Sequence, residues 1–430
     1  MVIVDGGDLF WKSGSLVGDR RQRDIKADLQ AGAYNLTGLD AFVPGEGDLS
    51  LGLERFQELT HGWPVLAGNL TCGEQSWPTT TRVESGGRVI GIIGVVDYEV
   101  EGCTTSPPLD AIRAGVTELG EVDALVLIAH VQANVTREAA TEVPELDFIL
   151  NGHTRQRHGQ PFSLDNHAHQ LGSGSRGKVL GMLELQFNEG ATFFASDATA
   201  KHLEEEVERH TERREAAMGK LDAATDDEER ARQQRQVEYY DQKIAEYSAD
   251  LEAARAASGG PSHGFENQLR ELDDGVADHV GTKALLDAAL TQIDELPPLA
   301  VKPKARETPY VGTASCRGCH QEQFAQWNAT GHARAWDTLA KAKRANDEEC
   351  FSCHVTGAVD PRGPQTVDAV HPELRGVGCE SCHGPGEEHL KGPSVDTMTL
   401  PTQETCVSCH DGERDDGQFD FETYHPKVAH

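Results

Sequence analysis

Residues 376–386 read GVGCESCHGPG, which packs Cys379, Cys382 and His383 into five consecutive positions. The same spacing recurs in Cys316-Arg-Gly-Cys319-His320, Cys350-Phe-Ser-Cys353-His354 and Cys406-Val-Ser-Cys409-His410. A Cys-x-x-Cys pair is half of a tetrahedral zinc site, but zinc does not require a histidine directly after the second cysteine every time. Covalent c-type haem attachment does. The two sulfurs form thioethers with the porphyrin, and the adjacent imidazole reaches the iron as its proximal ligand. The four motifs therefore predict four c-type haems. Their attachment residues are Cys316, Cys319, Cys350, Cys353, Cys379, Cys382, Cys406 and Cys409, and their proximal ligands are His320, His354, His383 and His410.

The 430 residues include 39 Lys and Arg against 71 Asp and Glu, a formal charge of −32. Neutralising phosphates needs a basic face, so nucleic acid is excluded as a partner. The acidity suits a solvated surface or the steering of redox partner proteins with basic surfaces. No run of about 18 apolar residues occurs, so no membrane span is expected in this chain. Covalent haem is assembled outside the cytoplasmic membrane. The sequence therefore predicts a periplasmic or otherwise extracytoplasmic location, with an export signal upstream of Met1. In that oxidising setting Cys72 and Cys103, the two cysteines outside the haem motifs, form either a disulfide between neighbouring parallel strands or two separate thiols.

Three segments follow one another. Residues 1–200 alternate Val, Ile and Leu-rich strands at 2–4, 64–70, 88–97, 124–131 and 147–154 with amphipathic stretches at 26–37, 51–60 and 109–118. That order predicts an α/β domain whose polar residues gather after the strand ends. Residues 201–300 hold a helical arm and linker. Two long helices are joined near Ala223 to Asp227 as an antiparallel hairpin, with a thin stripe of Leu203, Val207, Leu221, Ile244, Tyr247, Leu251 and Ala254. The hairpin is either a solvated spacer or a coiled coil that forms a homodimer. SGGPSHG at 258–264 ends it, and a further helix is expected over 266–294. The Pro-rich strip that follows opens a haem domain at 301–430, where haem takes the volume that side chains otherwise fill.

Within 309–430, the stretches YVGTASCRGCHQEQFAQWNATGHARAW, CFSCHVTG, GVGCESCHGPGEEH and FDFETYHPKVAH resemble the tetrahaem cytochrome c family of the hydroxylamine-oxidation electron-carrier type. The resemblance implies distal iron ligands at His332, His389 and His430. It also implies that the second haem, held by Cys350, Cys353 and His354, is the one with an open position. His371 and His425 are the spare histidines, either of which would supply a fourth distal ligand.

Asp5-Gly-Gly-Asp8, Gly45-Glu46-Gly47-Asp48, Ala129-His130 and Gly152-His153-Thr154-Arg155 each follow an apolar strand. Over residues 1–198 they resemble the calcineurin-like metallophosphoesterase domain of 5′-nucleotidases. By that resemblance Asp8, Glu46, His130 and His153 would hold one divalent metal ion. The rest of a two-metal centre is missing, because Arg155 replaces a histidine ligand and Gly47 stands where the family has its proton donor. The whole chain is thus expected to relay electrons, with a front domain lacking phosphoesterase chemistry. The rival readings are a haem oxidoreductase acting on a small nitrogen or sulfur compound at a five-coordinate haem, and an active metal-dependent phosphoesterase.

Overall fold

The computed structural model describes residues 1–11, 20–154, 156–158, 162–163, 168–195, 197–224, 227–257, 262–273, 275–297, 308–411 and 419–430. The chain forms two compact units, Met1–Ser13 with Thr37–Ala277, and Gly14–Leu36 with Asp278–His430.

A six-stranded sheet is the frame of the first unit. His169–Leu171, Phe148–Asn151, Ala124–His130 and Arg88–Val96 run parallel, flanked by antiparallel Phe162–Ser163 at one edge and Thr80–Ser85 at the other. The central strands RVIGIIGVV, ALVLIAH and FILN are almost unbroken apolar runs, as a sheet covered on both faces requires. Helices Pro108–Leu119 and Ala133–Glu142 cover one face, where Ile112, Leu119, Ala139 and Ala140 join Ile93, Leu127 and Ile149 in one buried cluster. Val96 pairs with His130 and Ala129 with Asn151, so the carboxyl ends of three strands finish level. A short parallel pair, Val4–Asp5 with Ala41–Phe42, supplies two more loops.

Cys72 and Cys103 form a disulfide, with their Cα atoms 4.0 Å apart. They lie opposite each other on the antiparallel strands Leu70–Cys72 and Cys103–Thr105, and not on parallel neighbours as expected.

A second departure concerns residues 266–294, expected to be one helix. His263–Glu271 is instead a strand, paired along its length with Val179–Gln186 from Gly264↔Gln186 to Glu271↔Val179, and only Val280–Glu295 is helical. HGFENQLRE contains good helix formers, but Phe265 is buried with its ring 5.3 Å from that of Phe148 and 4.4 Å from that of His169. Sheet packing overrides local propensity here.

The helices Asp197–Ala223 and Asp227–Ala257 form the expected antiparallel hairpin, joined through residues that include 225–226, outside the described residues. Buried Leu203 meets Leu251 and Tyr247, the ring of His210 stacks on that of Tyr247, and Arg255 pairs with Glu204. The Ala254 side chain also lies outside the described residues.

From Thr313 onward the second unit is made of short helices and single turns, around a small core of Tyr310, Phe351, Val355, Val370 and Leu374. Helix Arg20–Thr37, part of which was expected between strands of the α/β domain, groups with this unit. The reason is polar as well as apolar. Its buried Gln22 hydrogen-bonds the Asn346 carbonyl and the Glu348 amide, while Leu285 packs against its Gly32.

Candidate functional site

Each Cys-x-x-Cys-His motif folds as a helical turn. Cys350–His354 ends the helix Glu348–His354, Cys379–His383 is a helix by itself, and the His320 and His410 amides donate back to the Cys316 and Cys406 carbonyls. Positions i, i+3 and i+4 share one helical face, so both thiols and the imidazole of a motif are presented together. None of the eight cysteines is in a disulfide. The thiols of Cys316 and Cys379 lie close enough to interact, so the first and third motifs sit side by side.

Three motif histidines face a histidine from elsewhere. Ring centroids lie 6.1 Å apart for His320 and His389, 6.3 Å for His410 and His332, and 5.5 Å for His383 and His430. Metal–imidazole bonds of about 2 Å on either side need ring centres about 6 Å apart, so these pairs fit a metal atom bound from both sides. The Nδ1 atoms have carbonyl acceptors in His383 (Thr399, 3.0 Å), His389 (Ser394, 3.1 Å) and His430 (Val428, 3.2 Å). A carbonyl only accepts. Nδ1 therefore carries the proton, and in the neutral ring Nε2 keeps its lone pair for a metal.

His354 has the same arrangement, its Nδ1 donating to the Ala335 carbonyl at 2.7 Å, but among the described residues no histidine ring faces it. The two spare histidines are engaged elsewhere. His371 caps the turn Pro372–Leu374, accepting from the Glu373 amide, and His425 stacks on Phe421 with centroids 4.6 Å apart.

One residue of this unit escaped the sequence reading. Glu380, inside the third motif and 2% exposed, accepts from the amides of Val311 (2.8 Å), Gly312 (2.7 Å) and Gly386 (2.7 Å). It clasps the segment entering the first motif to the third. Its three donors come from outside the motif, so CESCH alone carries no sign of the role.

In the first unit, the loops after the parallel strands bring Asp8, Glu46, His130 and His153 together. His130 Nε2 lies 2.9 Å from Glu46 Oε2, 3.3 Å from His153 Nδ1 and 3.8 Å from Asp8 Oδ2, and His153 Nδ1 is 3.8 Å from Glu46 Oε2. The donor atoms of Glu46, His130 and His153 all fall within 4.8 Å of one another, a spacing that suits one divalent ion, with Asp8 at its margin. His130 Nδ1 donates to the Gly6 carbonyl at 2.8 Å, which turns Nε2 toward the cluster. The hydrogen bond from His130 holds the Glu46 carboxyl down to about 2 against the effect of burial. Burial works against a His130 cation, but Glu46, the Gly6 carbonyl and Asp8 outweigh it and raise the pKa. Burial also raises Asp8.

The glycines around this cluster are tightly enclosed. A Cβ at Gly47 would lie 2.0 Å from the Trp11 carbonyl oxygen and 2.8 Å from Asp8 Oδ1, so no side chain fits there in this conformation. Asp48, fully buried, accepts from the amides of Asp8, Phe10 and Gly45 and ties the two loops; burial pushes it up to about 7. Its role was hinted at by its place at the end of Gly-Glu-Gly-Asp. Arg155 lies outside the described residues.

The family of cytochrome c554 and c-prime matches residues 315–384. The cytochrome c-554 of Nitrosomonas europaea is 38% identical over 97 residues, covering 19% of this chain and 41% of that protein, so the chain spans about two fifths of its curated relative. Among solved structures, SoxB from Thermus thermophilus, described as a sulfate thiohydrolase in complex with glycerol, is 21% identical (TM-score 0.37; 44% of this chain, 36% of that one). A putative 5′-nucleotidase from Staphylococcus aureus is 16% identical (0.35; 44% and 42%), and the NAD nucleotidase of Haemophilus influenzae 16% (0.37; 43% and 42%). Residues 315–384, the segment that matches this family, hold the first three Cys-x-x-Cys-His motifs.

Proposed function

We propose that the protein is an extracytoplasmic c-type cytochrome that relays electrons through four covalently bound haems. The observation that carries this reading is the facing of His320 with His389, His410 with His332 and His383 with His430. Axial ligation by two imidazoles leaves little change in iron geometry between redox states, which suits outer-sphere transfer. Bound haem supplies one-electron chemistry. The chain's own part is to hold the rings of His354, His383, His389 and His430 by a carbonyl at Nδ1 and to fix the motifs against one another. Among the described residues no helix is long and apolar enough to cross a membrane. The charge of −32 favours redox partners with basic surfaces. Pyridine haemochrome analysis of the denatured protein tests the reading: four c-type haems per chain are expected, and fewer would defeat it.

A second reading is favoured by His354, which no histidine ring faces among the described residues. The haem at Cys350 and Cys353 then has one axial position open to a small ligand, a nitrogen or sulfur compound among them. Oxidised protein should give a high-spin ferric signal of about one iron per chain. Purely low-spin signals, with no carbon monoxide binding after reduction, would leave the relay role alone.

For the first unit we infer binding of at most one divalent ion by Asp8, Glu46, His130 and His153, with phosphoester hydrolysis poor or absent. The enclosed Gly47 supports this, since nothing there can protonate a leaving group. Turnover of a chromogenic phosphodiester with manganese at about 1–1,000 per second, the range of ordinary enzymes, would overturn it.

A further inference from the structure

The helix that carries the second motif is held by charges from the far end of the sequence. Asp347, 2% exposed, is its N-cap and accepts from the Glu349 amide at 3.1 Å. Lys26 of helix Arg20–Thr37 makes a short ion pair with Asp347 and a second pair with Glu349 Oε2 at 3.1 Å. Arg344 holds the other Asp347 oxygen at 3.0 Å. Gln22, one turn before Lys26, binds the backbone on both sides of Asp347, at the Asn346 carbonyl (2.7 Å) and the Glu348 amide (3.1 Å). Asn346 is tied in turn to Asp294 at the end of helix Val280–Glu295, at 3.1 Å. The Asp347 carbonyl accepts from the amide of Cys350, the first thioether-forming residue of that motif.

We propose that Lys26 and Asp347 are positioning residues for the haem attached at Cys350 and Cys353, and that their paired charges set its reduction potential. This rests on the four-haem reading above. The cluster of Lys26, Arg344, Asp347 and Glu349 is neutral as a whole and is screened from water at its centre, so removing one member leaves an unbalanced charge beside the motif. An added negative balance stabilises the ferric form and lowers the potential, and an added positive balance raises it. The neutral cluster also explains why a lysine so far away in sequence is partly buried on an otherwise acidic protein.

The test is spectropotentiometric titration of the haem-loaded full chain, resolved into one-electron components, for wild type, Lys26→Met and Asp347→Asn. Asparagine still caps a helix, so the second variant keeps the turn and loses only the charge. One component should move at least tenfold in its oxidised-to-reduced ratio, about 59 mV for one electron, downward in Lys26→Met and upward in Asp347→Asn. Lys26→Arg should restore the wild-type value. Shifts of the same sign in both charge variants, equal shifts in all components, or no shift would overturn the proposal, because a purely structural loosening does not reverse sign with charge. If Asp347→Asn fails to load haem, the contrast of Lys26→Met with Lys26→Arg decides. A wild-type haem count below four would instead defeat the reading on which the proposal rests.

Discussion

His430 and His383 face each other with ring centroids 5.5 Å apart, and each ring is held by a carbonyl at Nδ1. If they are the two axial ligands of one iron, His430→Ala should convert that haem alone from low to high spin and open it to carbon monoxide. His389→Ala and His332→Ala should do the same for the haems of the first and fourth motifs. His371→Ala and His425→Ala should change nothing, since those rings cap a turn and stack on Phe421. Paramagnetic resonance of each oxidised variant, with carbon monoxide difference spectra after reduction, checks the set. A spectrum unchanged in His430→Ala would remove His430 as a ligand.

How far the molecule was legible in its sequence depends on how local each determinant is. Cys379, Cys382 and His383 lie within one helical turn, so their shared face follows from spacing alone. The strands Arg88–Val96 and Ala124–His130 were readable because burial on both faces imposes an unbroken apolar run. Which motif histidine faces which distant one is a tertiary fact, and no local pattern encodes it. The strand His263–Glu271 was hidden for a similar reason: its pairing partner Val179–Gln186 lies on the far side of a long helical hairpin, while its own residues favour helix. Helix Arg20–Thr37 showed its amphipathic period but not its partner, because Lys26 meets Asp347 only in the folded chain.

The Cys72–Cys103 disulfide closes a loop of 31 residues between two antiparallel strands. Cys72 is buried and pairs directly with Cys103, so the bridge fastens one strand to its neighbour within the sheet. Replacing both cysteines by serine should lower the stability of the first unit by about 2–4 kcal/mol. Haem content should stay unchanged, because neither cysteine belongs to a motif. Chemical denaturation followed by a probe in the first unit measures the loss, and a variant as stable as wild type would show that the bridge contributes nothing.

Placing a histidine at position 47 tests the proposal that Gly47 denies the first unit a proton donor for phosphoester hydrolysis. The Cβ of Gly47→His would press on the Trp11 carbonyl oxygen and on Asp8 Oδ1, and the Gly47 amide that now donates to Asp8 at 2.9 Å would be displaced. The variant should therefore lose about 1–3 kcal/mol of stability, as overpacked sites do, and gain no hydrolysis of a chromogenic phosphodiester with manganese. A stable, active Gly47→His would show that the loop opens easily and that the enclosure seen here is no barrier.

The last expectation concerns pH and the Glu46–His130 contact in metal-free protein. Glu46 is held at about 2, below its ordinary 4.5, chiefly by the His130 hydrogen bond. Its contribution is complete above about 4.5 and is lost as pH falls toward 2. His130 is shifted the other way, above its ordinary 6.5, because its partners outweigh its burial. That contribution is complete below 6.5 and is lost as pH rises through the raised value. The pair therefore stabilises most between about 4.5 and 6.5 and weakens on both sides. The melting temperatures of chelator-treated wild type and Glu46→Gln should differ most near pH 5–6 and converge only as pH falls to about 2. Zinc or manganese should instead carry the difference to higher pH, since a bound cation needs His130 neutral and Glu46 ionised, and its affinity should fall as His130 takes up a proton. A difference that stayed constant from pH 3 to pH 9 would mean that Glu46 and His130 do not act as a charge pair.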